Sequence, residues 1–107
     1  TNDWWPGEMR GEYRDRSASL LAARARRAFH EYMPTRQSMT DTGRIYRKIS
    51  YGPLLDVFML DMRSYRGPNV DRLHDDSGPN ASILGPVQVA WLKQQLKASQ
   101  ATWKVIA

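Results

Sequence analysis

The 107 residues include no cysteine and only two histidines. The first absence excludes a disulfide framework, a thiol nucleophile and any zinc site built on thiolates. Two imidazoles cannot by themselves build a histidine-rich hydrolytic metal centre. No apolar run approaches the roughly 20 residues of a membrane span, and the first residues lack the basic-then-apolar order of a secretion signal. Motifs of self-contained enzymes are missing too: there is no G-x-S-x-G, no P-loop, no G-x-G-x-x-G and no H-E-x-x-H. Lys and Arg number 16 against 11 Asp and Glu, giving a net charge of +5, yet the basic residues never form a run of five or six. That scatter disfavours nucleic acid as a partner. Most of the cations are Arg, whose forked donors match phosphate and carboxylate geometry, so a small anionic partner or substrate suits the chain better. With 41% hydrophobic residues the chain can build one modest core, and one domain is the ceiling.

What the sequence does have is concentrated in residues 54–66, LLDVFMLDMRSYR. Its first half is apolar apart from Asp56, and Val57, Phe58, Met59 and Leu60 run without alternation. This pattern predicts a central strand buried on both faces. Asp61, Arg63, Tyr65 and Arg66 come next, where the strand should leave the sheet. Ligands of open α/β sheets bind outside the carboxyl ends of the strands, so this exit is the candidate site. The competing reading is an Asp–Arg pair that only caps the strand and ties down a loop.

The remaining elements are read from periodicity and punctuation. Residues 1–16 hold Trp4, Trp5, Pro6, Gly7 and Gly11 without a sustained period, which predicts a loop packed by its rings. A helix starts at Ser17 or Ser19, carries Leu21, Ala25, Ala28, Phe29 and Tyr32 on a core-facing stripe, and ends at Pro34. Arg24, Arg27 and Glu31 lie on the opposite, solvated side, and His30 falls outside the stripe in a surface role rather than as a ligand. Residues 44–51 alternate with period two, and Gly52-Pro53 turns this strand back to make it an antiparallel neighbour of the central one. Residues 67–84 form a long loop in which His74-Asp75-Asp76 has metal-ligand types but no convergent partners. Gly85-Pro86 opens a second helix with Val87, Trp91 and Ala98 on one side and Val89, Leu92 and Leu96 on the other, so it is expected to be covered on two faces. TWKVIA at residues 102–107 reads as a last strand still in progress. Together with the start at a polar-aromatic cluster, this leads to the expectation of a single partial domain over residues 1–107, an internal fragment of a larger protein.

In order and spacing, residues 54–66 (LLDVFMLDMRSYR), 83–96 (ILGPVQVAWLKQQL) and 99–107 (SQATWKVIA) resemble the PhoD-like alkaline phosphatases, a branch of the calcineurin-like metallophosphatases. The opening NDWWPGE resembles the segment just after that family's Asp-Asp-His-Glu motif, and RRAFHEYM at residues 26–33 precedes a proline as it does there. The resemblance implies an α/β fold, a piece of a two-sheet αββα sandwich contributing two helices and about three strands. It implies a metal-dependent phosphoric ester hydrolase, a phosphatase or phosphodiesterase, with iron and calcium as cofactors and a phosphate ester as substrate. It also implies export to the periplasm or the outside of the cell.

The family's metal-binding aspartates, its Asp-Asp-His-Glu motif and its downstream histidines match nothing in these residues. Most ligands are thus expected from the missing remainder of the same polypeptide, and the isolated piece is expected to be inactive. Within it, Asn2 is the candidate near-metal residue because it lies beside the missing motif, and Arg63 and Arg66 are the candidates for facing or supporting phosphate. The alternatives from other classes are a small basic module that binds an anionic partner and a non-catalytic homologue.

Overall fold

The computed structural model describes residues 2–37, 39–68 and 82–107. His74-Asp75-Asp76 and most of the predicted long loop lie outside them. The elements are α1 (Ala18–Tyr32), β1 (Arg47–Tyr51), β2 (Leu55–Met59), α2 (Pro86–Ala98) and β3 (Trp103–Ile106). The two helices and three strands agree with the α/β reading.

The strands form one sheet in the order β1-β2-β3, so the apolar run does occupy the centre. β1 and β2 are antiparallel, with Lys48 opposite Phe58 and Ser50 opposite Asp56. The short Gly52-Pro53 connection permits this, with Gly52 at φ 57 in the left-handed region that favours glycine. β2 and β3 are parallel, Val57 beside Val105, and α2 makes the crossover between them that a parallel pair requires.

β2 differs from the expectation in one respect. Asp56 and Phe58 are buried, whereas Leu55, Val57 and Met59 are half-buried. Among the described residues β2 is buried on one face only, and β3 is exposed on both. The cover is α2: Tyr46, which lies just before β1 with the parity of Lys48 and Ser50, packs on Trp91 with ring centroids 4.8 Å apart and on Tyr65 at 5.4 Å. The opposite face presents Tyr51, Trp103 and Val105, all exposed.

Both helices depart from their predicted stripes. Ser17 caps α1, its hydroxyl accepting from the Leu20 N–H at 3.3 Å, and the helix stops just before Pro34. Yet Ala18 is its buried residue, Ala25 and Ala28 are exposed, and Tyr32 is 85% exposed. Instead of lying on the sheet, α1 is tied to the preceding loop: Glu8 O accepts from Ala18 N at 2.9 Å, and Ser19 Oγ from Gly7 N at 3.1 Å. Trp4 and Trp5 are half-buried in that loop, as ring-anchored packing predicts. His30 is half-buried rather than a solvated surface group: its ring sits edge-on to Phe29 at 5.4 Å and both ring nitrogens are buried without hydrogen bonds.

α2 begins at Pro86 as its Gly-Pro signal predicts, but its innermost residue is Gln88, fully buried, while Val87 is 69% exposed. Gly85 is required at the helix start. Its φ is 74, and a Cβ there would sit 2.9 Å from the Tyr65 carbonyl oxygen.

Candidate functional site at the exit of the central strand

Asp56 marks the end of β2 away from the candidate site. Its carboxylate accepts from the Ser50 hydroxyl at 2.6 Å, the Ser99 hydroxyl at 2.5 Å and Lys48 Nζ at 3.1 Å. The Ser50 and Ser99 hydrogen bonds pull its pKa down to about 2; burial opposes them and Lys48 adds to the lowering. Every partner is a structural neighbour on β1 or at the end of α2, so this carboxylate joins three elements rather than serving chemistry.

At the other end, the chain turns sharply as it leaves the sheet. Asp61 is buried and its Oδ1 accepts from the backbone N–H of Arg63 at 3.0 Å and of Ser64 at 2.9 Å, the pattern of an Asx turn. The same residue is held from behind by Gln88. Asp61 N donates to Gln88 Oε1 at 2.8 Å, while Gln88 Nε2 donates to the carbonyls of Asp61 and Leu84, each at 2.9 Å. A side-chain amide thus continues the hydrogen bonding of β2 past the point where the strand ends. Asp61 thus caps its own turn, its Oδ1 facing backbone N–H groups.

Arg63 is placed by that turn. Its Nη2 pairs with Asp3 Oδ1 at 3.0 Å across 60 residues of sequence, and its Nη1 is buried without a hydrogen bond. Asp3 adopts φ 48, unusual for a residue with a side chain, and Asn2 Nδ2 reaches its other carboxylate oxygen at 3.4 Å. The structure thus brings Asn2, Asp3 and Arg63 together. Arg66 lies three residues further along the same segment, half-buried. Between these two arginines, burial pushes the Tyr65 phenol up, with Tyr46 and Asp41 adding to the effect, so it stays protonated. Beside the turn lies a hollow of about 360 Å³ lined by Trp4, Phe29, Leu60, Asp61 and Ser64 among others.

These residues do not make a metal centre by themselves. Among the described residues no three His, Asp or Glu side chains gather where an ion could bind, and Asp3, the carboxylate beside Asn2, is already engaged by Arg63. Arg47, by contrast, is committed to the scaffold. It donates to the carbonyls of Ile45, Arg36 and Arg44 at 2.8, 2.9 and 3.0 Å and lies over the Phe29 ring.

Sequence reasoning missed one contributor, Gln88, and the pairing of Asp3 with Arg63. A Gln at the third position of a Gly-Pro-initiated helix is the available signal for the first, because that position commonly returns a hydrogen bond toward the helix start. No local signal ties Asp3 to a residue 60 positions away.

An arginine presented at the carboxyl end of a central α/β strand, beside an Asn-Asp tip, is an arrangement suited to binding an oxyanion. The profile of the PhoD-like phosphatase family matches residues 1–107, and the chain belongs to that family. It is similar to alkaline phosphatase D of Bacillus subtilis (strain 168), with 34% identity over 97 residues, covering 82% of this chain and 17% of that protein. A solved structure of PhoD superposes with a TM-score of 0.64 at 33% identity, covering 81% of this chain and 18% of that one. The chain therefore spans less than a fifth of the length of the relatives it matches.

Proposed function

We propose that this chain is the phosphate-orienting portion of a phosphoric ester hydrolase of the PhoD type. The observation that carries the reading is the Arg63 guanidinium, fixed at the exit of β2 by the Asp61 turn and by Asp3, in a chain that matches the family over its whole length. A guanidinium in that position donates to a phosphoryl oxygen and stabilises the charge that develops on it. Arg66 supports the same region from the following turn. Phosphomonoesters or phosphodiesters are the substrate class.

Metal dependence is part of the proposal, with iron and calcium as the ions the resemblance implies. Such ions supply an activated hydroxide and charge neutralisation in phosphoryl hydrolysis. Asn2 is proposed to offer one amide oxygen near them, the other ligands coming from outside these 107 residues. Replacing Asn2 by Ala in the complete polypeptide should lower the bound metal per chain measured by elemental analysis; unchanged metal content would remove Asn2 from the set. Export of the complete protein is likewise proposed, and cell fractionation tests it directly.

The kinetic test is Arg63→Ala in the complete polypeptide. Loss of a charged hydrogen-bonding partner should weaken inhibition by inorganic phosphate about ten- to a hundred-fold. An unchanged inhibition constant would exclude Arg63 from the phosphate site.

A further inference from the structure

We propose that Asp3 is a positioning residue for Arg63, holding Nη2 so that the guanidinium keeps a fixed orientation for a phosphoryl oxygen. The inference rests on the reading of Arg63 given above. Its support is the way both ends of the arginine are fixed. The backbone N–H of Arg63 is bound by Asp61 Oδ1 at 3.0 Å, and Nη2 is bound by Asp3 Oδ1 at the same distance. Asp3 is itself braced. The Asn2 carbonyl accepts from Arg10 Nη2, Arg10 Nε pairs with Glu8 Oε2 at 2.9 Å, and the Glu8 carbonyl accepts from the first residue of α1.

Two features separate this arrangement from an ordinary surface tether. Asp3 holds a left-handed backbone conformation, which costs free energy for a side-chain-bearing residue and is concentrated at functional positions. Arg63 Nη1 is buried and makes no hydrogen bond, so the bond from Nη2 to Asp3 is the side-chain contact that orients the guanidinium. Asp3 is 64% exposed at its side chain, so the ion pair itself contributes little to stability. Its removal should be felt in phosphate recognition while unfolding is spared.

The test uses the complete polypeptide with p-nitrophenyl phosphate as substrate and inorganic phosphate as inhibitor, in Asp3→Ala, Asp3→Asn, Asp3→Glu, Arg63→Ala and the Asp3→Ala/Arg63→Ala double variant. Asp3→Ala and Asp3→Asn should weaken phosphate inhibition about five- to tenfold, the scale of a lost charged hydrogen bond partly compensated by solvent, with the unfolding midpoint unmoved. Asp3→Glu should recover most of the loss, and Asp3→Ala should add nothing to Arg63→Ala, as coupled residues require. If Arg63→Ala weakens inhibition and Asp3→Ala does not, or if the two losses add, the positioning role is overturned while Arg63 keeps its place. If Arg63→Ala has no effect, both readings fall. A loss in Asp3→Ala matched by a lower unfolding midpoint and not recovered by Asp3→Glu would make the pair structural and overturn the inference.

Discussion

Gln88 and Asp61, 27 residues apart, exchange two hydrogen bonds between a side-chain amide and a backbone N–H and C=O, at 2.8 and 2.9 Å. Through this exchange α2 holds the point at which β2 ends. The direction of the turn that presents Arg63 depends on it.

Gln88→Leu keeps the side-chain volume but leaves the Asp61 N–H and C=O and the Leu84 C=O without their partner. A loss of about 2–4 kcal/mol is expected from stranding buried polar groups. Urea denaturation read by tryptophan fluorescence measures it, and a shift of the midpoint too small to resolve would show that the amide is dispensable.

Asp56 sets an acid limit on stability. Its folded pKa, about 2, lies below the ordinary 3.8, so the protonated unfolded state gains on the folded one as pH falls. The contribution is full above about pH 4 and is lost between about pH 4 and 2. Thermal unfolding followed across that window should show the decline, and Asp56→Asn should flatten it. Carboxyl titration by NMR should show a larger upward shift in Ser50→Ala than in Ser99→Ala, because the Ser50 hydrogen bond lowers the pKa most.

Gly85→Ala meets two obstacles, a positive φ and the Tyr65 carbonyl 2.9 Å from the new methyl. A destabilisation of about 1–3 kcal/mol is expected for a side chain forced into this conformation. Gly11→Ala is the control, since open space surrounds that position and no positive φ is needed there. Equal unfolding midpoints for the two variants would refute the close approach of Tyr65 to the start of α2.

Much of the scaffold is legible in the sequence for reasons that are local. The apolar run from Val57 to Leu60 marks the central strand, Gly52-Pro53 marks the antiparallel return, and Gly85-Pro86 marks the start of α2. What periodicity cannot tell is what covers an apolar face. Leu21, Phe29 and Tyr32 share a stripe, but α1 is held by the loop before it, and Tyr32 remains exposed. Nor does an apolar run by itself distinguish a strand covered on both faces from one covered on a single face; among the described residues β2 is the second case. In the site, the charged exit is visible in the sequence, yet the inward turn of Asp61 and the outward pairing of Arg63 depend on Gln88 and Asp3, which only the folded chain brings near.

The measurement that bears hardest on the phosphate-orienting role is hydrolysis of p-nitrophenyl phosphate by the isolated 107 residues and by the complete polypeptide, both supplied with iron and calcium. Turnover is expected from the complete protein and none from the isolated chain, which is proposed to orient phosphate while most metal ligands come from the rest of the polypeptide. Turnover by the isolated chain would contradict that division of labour.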